Sequence, residues 1–199
     1  MSVLACRWAL GLLMAAGYAH ATVLGPLPGE QGQVPSPLPS DPRCTMTISH
    51  PVVDFGVMSR GQLQEIPGQG LSPGIRSLSL SVVCPYARAI KLLVQGDGRE
   101  QGGMRYGKDG FTRFRLLDVQ VDGHAQELRA STPEGAIAGS GQGLVLIAGQ
   151  QLAPVARDQW VEGRTLTARL EIQPVLSPAQ TRVSHWERSE STLTLTLVN

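Results

Sequence analysis

The chain has 199 residues, of which 42% are hydrophobic and 17% charged, and it contains three cysteines. This length allows one domain, or one domain with a short appendage, because two separate hydrophobic cores would be cramped. The residues after position 21 include 16 basic and 16 acidic side chains, so they carry no formal net charge when histidine is neutral. This balance argues against a nucleic-acid-binding protein that depends on neutralising phosphates.

The first 21 residues have the features of a secretory signal peptide. Arg7 is followed by an apolar run from Trp8 to Tyr18 and then by Ala19-His20-Ala21, which has the small-x-small form of a cleavage site. Cys6 precedes the apolar run, whereas the lipid-attachment cysteine of a bacterial lipoprotein follows it. The run is too short to span a bilayer comfortably, and no later segment has eighteen apolar residues, so we predict an exported protein without membrane insertion.

Residues 22–43 differ in composition from the rest of the chain. They are dense in Pro and Gly and contain too few apolar residues to form a core. We interpret them as a flexible N-terminal arm and assign residues 44–199 to one β domain. Within the arm, Val23, Gly25 and Leu27 recur at a period of two, which is typical of an extended strand.

Residues 44–199 show the two-residue period of strands, with no sustained helical period. The most regular runs place Leu78, Leu80 and Val82 on one face of a strand that ends at Cys84. Pro174 and Pro178 are expected to break the chain before the last strand. The predicted strands are Thr45–Phe55, Arg76–Cys84, Arg88–Gln95, Met104–Tyr106, Phe111–Val121, Ala125–Leu128, Leu144–Ala148, Leu166–Ile172 and Ser191–Val198. Short strands separated by turns at regular intervals predict an all-β sandwich.

Two cysteines, Cys44 and Cys84, remain after removal of the signal peptide. An even number of cysteines in an oxidising compartment favours a disulfide over free thiols. Such a disulfide would join two neighbouring strands, because each cysteine lies at the outer end of a predicted strand. A metal centre is the poorer alternative, since two cysteines and scattered histidines do not supply four ligands. We therefore predict no metal and no cofactor.

The stretch from Cys44 to Cys84 resembles the pilin subunits of bacterial fimbriae that are assembled by the chaperone-usher route. The resemblance consists of a cysteine that opens the first strand, an apolar stretch closed by Phe55-Gly56, Leu63 shortly after it, a glycine-bearing connection and an alternating strand that runs into Cys84. The Ile90-Lys91-Leu92 strand and the terminal leucine ladder are also similar. The clear part covers about a quarter of the chain.

The resemblance implies an immunoglobulin-like β-sandwich that lacks its final strand, with a hydrophobic groove along the terminal strand. It implies that a periplasmic chaperone fills the groove first, and that the N-terminal extension of another pilus subunit then replaces the chaperone at an outer-membrane usher. The protein would pass through the periplasm to the cell-surface fimbrium, with a host or surface receptor as a further partner. The acceptor edge would be formed by Leu193, Leu195, Leu197, Val198 and Asn199, and the donor strand by Val23, Gly25 and Leu27.

The chain departs from the family pattern at both ends. Val198 and Trp186 stand where the family usually carries an aromatic residue and a glycine, and Pro26 and Pro28 remove two backbone donors from the arm. These departures favour a divergent minor subunit, at the tip or in an adaptor position, over a shaft subunit.

No catalytic residues are predicted. His50, His124 and His185 are far apart in the sequence, and no nucleophile-elbow motif accompanies them. The alternative to a pilus subunit is a self-contained exported β-sandwich that binds a carbohydrate or a protein, with Trp160, Trp186 and Tyr106 as candidate stacking residues. A secreted hydrolase is a third and more distant hypothesis.

Overall fold

A computed structural model describes residues 44–99, 102–131, 137–138, 143–182 and 187–198, and within these ranges the protein is all-β. One short 3-10 turn, Arg60–Gln62, interrupts the strands, and none of the described segments is a helix that could cross a membrane. In chain order the strands are β1 (Thr45–Ile48), β2 (Gln64–Ile66), β3 (Gly70–Ser72), β4 (Arg76–Ala89), β5 (Lys91–Gly96), β6 (Gly98–Arg99), β7 (Gly103–Tyr106), β8 (Gly110–Val121), β9 (His124–Ala125), β10 (Glu127–Ser131), β11 (Ile137–Ala138), β12 (Leu144–Val145), β13 (Gln151–Ala156), β14 (Gln159–Trp160), β15 (Glu162–Val175) and β16 (Leu193–Val198).

The strands form two large antiparallel sheets and one small hairpin. The first sheet has the order β1-β4-β15-β8-β7-β6, and β9 and β12 also pair with β8. The second has the order β11-β10-β13-β5-β16, with β14 paired to β13. The hairpin consists of β2 and β3. Every pairing in the described residues is antiparallel.

The two large sheets share one hydrophobic core. The first sheet contributes side chains from β4, β8 and β15, and the second contributes side chains from β5, β10, β13 and β16. Leu80, Val82 and Leu166 of the first sheet and Leu92 and Val94 of the second are almost completely buried. The opposite face of β15 carries mostly polar residues, as expected for a sheet with one wet side, whereas β13 is buried on both faces.

The alternating runs of the sequence form strands as predicted. Leu78, Leu80, Val82 and Cys84 are buried on one face of β4, and the alternation of the run Leu166–Ile172 is buried in the same way on β15. The predicted strand Arg88–Gln95 is shifted, because β4 continues to Ala89 and β5 begins at Lys91. Ile90 lies between them, where the chain passes from one sheet to the other.

The predicted disulfide joins Cys44 to Cys84, with their Cα atoms 4.1 Å apart. Thr45 pairs with Val83 in the β1–β4 register, so the two cysteines stand opposite each other at the end of these neighbouring strands. The bond therefore attaches the four-residue strand β1 to β4, one of the two 14-residue strands of its sheet. Short edge strands hold few ladder hydrogen bonds, and a covalent link compensates for that weakness.

The prediction of a strand over Thr45–Phe55 was wrong in its length. β1 ends at Ile48, because His50 adopts a positive φ of 49° and Pro51 has no backbone donor. The Ser49 amide still donates to the Ser79 carbonyl at 2.9 Å, after which the chain leaves β4. Val53 and Phe55 nevertheless pack against the core from an irregular segment.

A bulge in β8 changes which side chains face the core. Phe114 and Leu116 are buried before it, and Val119 and Val121 are buried after it. Asp118 has a positive φ of 53°, and the pairing with β15 shifts at the same place. The extra residue reverses the alternation, which explains the odd spacing between the two apolar pairs. Beyond Val121 the predicted strand Ala125–Leu128 is divided, because β9 pairs with β8 whereas β10 joins the second sheet.

Two strands that contain a proline differ from the prediction. No strand was predicted over β13, where Pro154 is buried and pairs in register with Leu128. Pro174 was expected to break the chain, but it lies inside β15 and pairs in register with Thr112. The pairing of β15 with β4 has already ended at Ile172, so the ring of Pro174 removes no donor from that side.

Asp122 connects the β8–β9 turn to an irregular point of β15. Its carboxylate accepts hydrogen bonds from the backbone amides of Arg164 and Thr165, at 3.0 and 2.8 Å, and from the Thr165 hydroxyl at 3.0 Å. The pairing of β15 with β4 shifts between Gly163 and Thr165, which frees these amides. The bonds from Thr165 are the main cause that lowers the pKa of Asp122.

Removing the disulfide should lower the stability of the fold. In the chain-entropy model, a closed loop spanning 40 residues stabilises the folded state by about 4 kcal/mol. The double variant Cys44→Ala/Cys84→Ala should therefore lose about this much free energy of unfolding in urea. Reductant should destabilise the wild-type protein and leave the double variant unchanged. Equal stability of the two proteins under oxidising conditions would contradict the argument.

Asp122 should make stability depend on acid pH. Since its folded-state pKa is lowered, the stabilisation is present above the ordinary Asp value and is lost as pH falls through the lowered one. The Asp122→Asn variant should have a lower melting temperature than the wild type at pH 7. The difference between the two melting temperatures should disappear as pH approaches 2. Asp109→Asn, in the exposed β7–β8 turn, is the matched control. A gap that persists at pH 2 would rule out the carboxylate as its cause.

Candidate functional site

The strands β1 and β16 form the edges of the two sheets on the same side of the core. β4 and β5, the second strands from these edges, are joined through Ile90 alone. β8 and β10, the fourth strands from these edges, are joined by a short connection that contains the two-residue strand β9. The orders of the two sheets therefore run in the same direction, and the free edges β1 and β16 lie on the same side of the shared core.

Neither edge has a second partner among the described residues. β1 pairs with β4 alone, and β16 pairs with β5 alone, from Leu193 opposite Gly96 to Val198 opposite Lys91. Each edge therefore presents a row of backbone N–H and C=O groups on its outer side. Such an edge is a ready template for another strand.

The core is incompletely covered along this side. Among the described residues, nine hydrophobic side chains pack against the core while staying partly exposed, and seven of them come from β1 with its continuation or from β16. These seven, which we call the open seam, are Cys44, Met46, Ile48, Val53, Phe55, Leu193 and Leu197. Side chains elsewhere in the core are mostly closed off by a neighbouring strand. The open seam is thus apolar surface that lies between two unpaired edges.

The segment after β1 extends one wall of the open seam. Asp54 accepts a hydrogen bond from the Gly56 amide at 2.7 Å, and Gly56 has a positive φ of 75°, so the chain makes a tight turn there. This turn holds Phe55 against the core, with the Arg76 guanidinium 5.7 Å from the centroid of its ring. The Phe55-Gly56 pair therefore has a structural role. It ends the apolar segment that follows β1 and places Phe55 beside Arg76, the first residue of β4.

The predicted acceptor residues lie on β16 in two different environments. Leu195 is buried, at 8% exposure, whereas Leu193, Leu197 and Val198 are half-buried. Thr194 points to the opposite face and is exposed. Asn199 and the predicted donor residues Val23, Gly25 and Leu27 lie outside the described residues.

Sequence reasoning missed the other wall of the open seam. Met46, Ile48, Val53 and Phe55 were assigned to a strand, but nothing in the sequence placed them opposite the terminal leucines. Apolar residues at every second position show which side chains share one face of a strand. They do not show which strands lie next to it, because that depends on how the sheets are assembled. One feature of the sequence does indicate that these four side chains are buried. The segment that contains them is rich in apolar residues although Pro51 interrupts it and Gly56 ends it.

Two of the aromatic residues proposed for a stacking surface, Trp160 and Tyr106, lie on different sheets. Trp160 is half-buried in the second sheet, where Lys91 Nζ lies 5.7 Å from the ring centroid. Tyr106 is on β7 of the first sheet, where burial raises the pKa of its hydroxyl and the charge of Asp54 raises it further. Trp186 lies outside the described residues.

The two described histidines lie at or next to exposed turns of the chain. His50 and His124 are both exposed, and His185 is outside the described residues. His124 Nδ1 lies 3.0 Å from the Asp122 carbonyl oxygen, a contact within the β8–β9 turn. Within the described part of the chain, no three metal-ligating side chains converge.

No protein-family model matches the chain, and a search of curated proteins finds no significant match. The function is therefore argued from the fold and from the open seam.

The two environments on β16 should differ in stability measurements. Leu195→Ala removes a buried side chain and should cost about 2 to 5 kcal/mol of unfolding free energy. Leu197→Ala removes a half-buried side chain and should cost clearly less, while Thr194→Ala on the exposed face should change stability by less than about 0.5 kcal/mol. Urea unfolding of the three variants tests this order. Equal costs for Leu195 and Leu197 would show that the open seam is covered.

Proposed function

We propose that the protein is a structural or adhesive minor subunit of a bacterial fimbria. In this proposal its domain is an incomplete immunoglobulin-like sandwich, and a strand from another protein completes it. A periplasmic chaperone supplies that strand first, and the N-terminal extension of another pilus subunit replaces it at an outer-membrane usher. The open seam between β1 and β16 is the observation that carries the proposal.

The strand order supports an immunoglobulin-like topology. Immunoglobulin domains place strands A, B, E and D in one sheet and C, F and G in the other. Here β1, β4, β15 and β8 follow one another in the order A-B-E-D, and β5 and β16 are neighbours as C and F are. The position of strand G, beside the strand that corresponds to F, is the free side of β16. That position has no strand among the described residues.

The chemistry of the free edge supports strand addition. A strand that binds by addition forms main-chain hydrogen bonds to an exposed edge and inserts alternate side chains into apolar sites. β16 offers both, because its outer backbone groups have no described partner and its own side chains Leu193 and Leu197 are only half-buried. Met46 and Phe55 of the facing wall offer further apolar surface. A donor with apolar residues at a period of two would fill the seam.

The N-terminal arm supports a minor position in the fibre. Val23, Gly25 and Leu27 have the spacing of a donor strand, but Pro26 and Pro28 alternate with them. Each proline removes one backbone donor from a strand that would be paired on both sides. A subunit that mainly receives a strand, and donates one poorly, belongs at the tip or at an adaptor position rather than in the repeating shaft.

Periplasmic expression with and without the cognate chaperone tests the proposal. We expect a stable one-to-one complex with the chaperone, and aggregation or degradation of the chain without it. Leu193→Asp should abolish the complex, because a carboxylate in the open seam opposes insertion of an apolar side chain. Thr194→Asp, on the opposite face of the same strand, is the matched control and should keep the complex.

One result would overturn the proposal in favour of a self-contained binding domain. That result is a soluble monomer that unfolds cooperatively with no chaperone, and whose stability is unchanged by Leu193→Asp. Co-purification of both the Leu193→Asp and the Thr194→Asp variants with the chaperone would also count against strand addition at β16.

A further inference from the structure

The strand β16 is the longest edge strand of the two large sheets in the described part of the protein. It has six residues, whereas the other outermost strands, β1, β6 and β11, have four, two and two. Its pairing with β5 runs from Leu193 to Val198 without a shift in register, so no bulge turns this edge away from a second strand. Long and regular edges are the ones that pair most readily with another chain.

β16 carries none of the features that usually protect such an edge. Soluble proteins protect their edges with charged side chains, prolines and bulges. β16 alternates leucine and threonine from Leu193 to Leu197, ends at Val198, and contains no charged residue, proline or glycine. At β1, by contrast, the positive φ of His50 and the ring of Pro51 end the edge after four residues. Of the two edges beside the open seam, β16 is therefore the one that offers a full-length pairing surface.

The pattern of β16 is symmetric about Leu195. Leu193 and Leu197 lie two residues to either side of it on the core face, and Thr194 and Thr196 lie one residue to either side on the opposite face. Residues that stand opposite each other in an antiparallel pair have their side chains on the same face of the sheet. A second copy of β16 that runs antiparallel, with Leu195 opposite Leu195, therefore places Leu193 opposite Leu197 and Thr194 opposite Thr196.

This register covers the apolar side chains that β16 leaves exposed. Leu193 and Leu197 are half-buried, whereas Leu195 is already buried in its own core. Cβ atoms of opposite residues lie about 4.5–5.5 Å apart, so each half-buried leucine contacts a half-buried leucine of the second copy. One two-fold axis at Leu195 makes both contacts at once. The threonines on the outer face form cross-strand pairs in the same way.

We propose that two copies of this chain pair through their β16 strands when no other strand occupies that edge. The contact is isologous, because both copies contribute the same strand, and it joins the two second sheets into one continuous sheet. Since each copy uses its only β16 edge, the dimer is closed there and does not grow into a fibre. A shift of two residues would leave one leucine of each copy without a partner, so the leucine pattern selects one register.

Sedimentation of the exported chain without a chaperone tests the proposal. The chain is unfolded in urea with its disulfide intact and then diluted, which limits the aggregation expected of a chain that lacks its chaperone. The soluble fraction is measured over a series of protein concentrations. We expect a reversible equilibrium between monomer and dimer, with no larger species.

Charged variants on the outer face of β16 test the strand and its partner together. Thr194→Asp/Thr196→Asp should weaken the dimer about 10-fold, because each Asp stands opposite an Asp of the second copy. Thr194→Lys/Thr196→Lys should weaken it for the same reason. A mixture of the two variants should recover the dimer, since every Asp then faces a Lys, and this recovery shows that both variants fold. The matched control is Thr45→Asp/Thr47→Asp, which has the same spacing on the exposed face of β1 and should leave the dimer unchanged.

Single cysteines test the register. Thr194→Cys mixed with Thr196→Cys should form a disulfide between two chains, because these positions are opposite each other in the proposed pairing. Two copies of the same variant place their cysteines diagonally, about 7–8 Å apart, and should form clearly less of it. Mass spectrometry of the linked peptides distinguishes this bond from an exchange with Cys44 or Cys84.

The proposal is overturned if the soluble fraction is monomeric at all concentrations or forms a continuous series of oligomers. It is also overturned if the mixed Asp and Lys variants do not recover the dimer, or if the β1 control weakens it as much as the β16 variant.

Addition of the cognate chaperone separates this proposal from the proposed function. Conversion of the dimer into a one-to-one complex with the chaperone supports both. A one-to-one complex formed by a chain that never dimerises overturns the dimer and leaves strand addition standing. A dimer that the chaperone does not separate supports pairing of two copies and counts against the proposed function.

Discussion

The fold depends on one extended stretch of backbone, from Leu78 to Val94, that supplies core side chains to both sheets. Leu78, Leu80, Val82 and Cys84 of β4 enter the core from the first sheet, and Leu92 and Val94 of β5 enter it from the second. At the corner between the two strands Tyr86 turns outward and is 57% exposed, while Ile90 is buried again. Since a slip of one residue would expose all these side chains, the pairing of β1, β15, β13 and β16 is fixed by this stretch.

The same constraint explains why, in the described ranges, one side of the core is incompletely covered. β4 and β5 are each second from an edge, so one described strand on each sheet lies beyond them. β1 has only four residues and follows β4 for part of its length, whereas β16 runs along the whole of β5. The disulfide holds the shorter strand to β4 at the end where its ladder begins. Between the edges lies the open seam, where apolar surface occurs beside backbone groups that have no partner among the described residues.

The alternation of apolar and polar residues made the central strands predictable from the sequence. Prolines and bulges made the other strands harder to predict. The faces of β4, β5, β15 and β16 follow from a period of two, because each buries one side only. Pro154 concealed β13, and the bulge at Asp118 turned one strand into two apolar pairs that are out of phase. Whether a strand tolerates a proline or a bulge depends on the strand that pairs with it. The residues of that partner strand are distant in the sequence.

The open seam shows the same division between local and non-local information. The leucines of β16 were predicted from alternation. Val53 and Phe55 belong to the opposite wall and contact the core from an irregular segment, which has no two-residue period to reveal it.

On the proposed function, one physical change would complete both sheets at their shared side. A strand added at β16 would pair with the outer backbone groups of that strand and cover the apolar side chains of the open seam. The strands β8 and β10 lie far from this addition, because β4 and β15 separate β8 from β1, and β5 and β13 separate β10 from β16. Assembly would therefore alter one edge of each sheet and leave the opposite side of the domain as it is. If the domain is instead self-contained, the open seam loses this role.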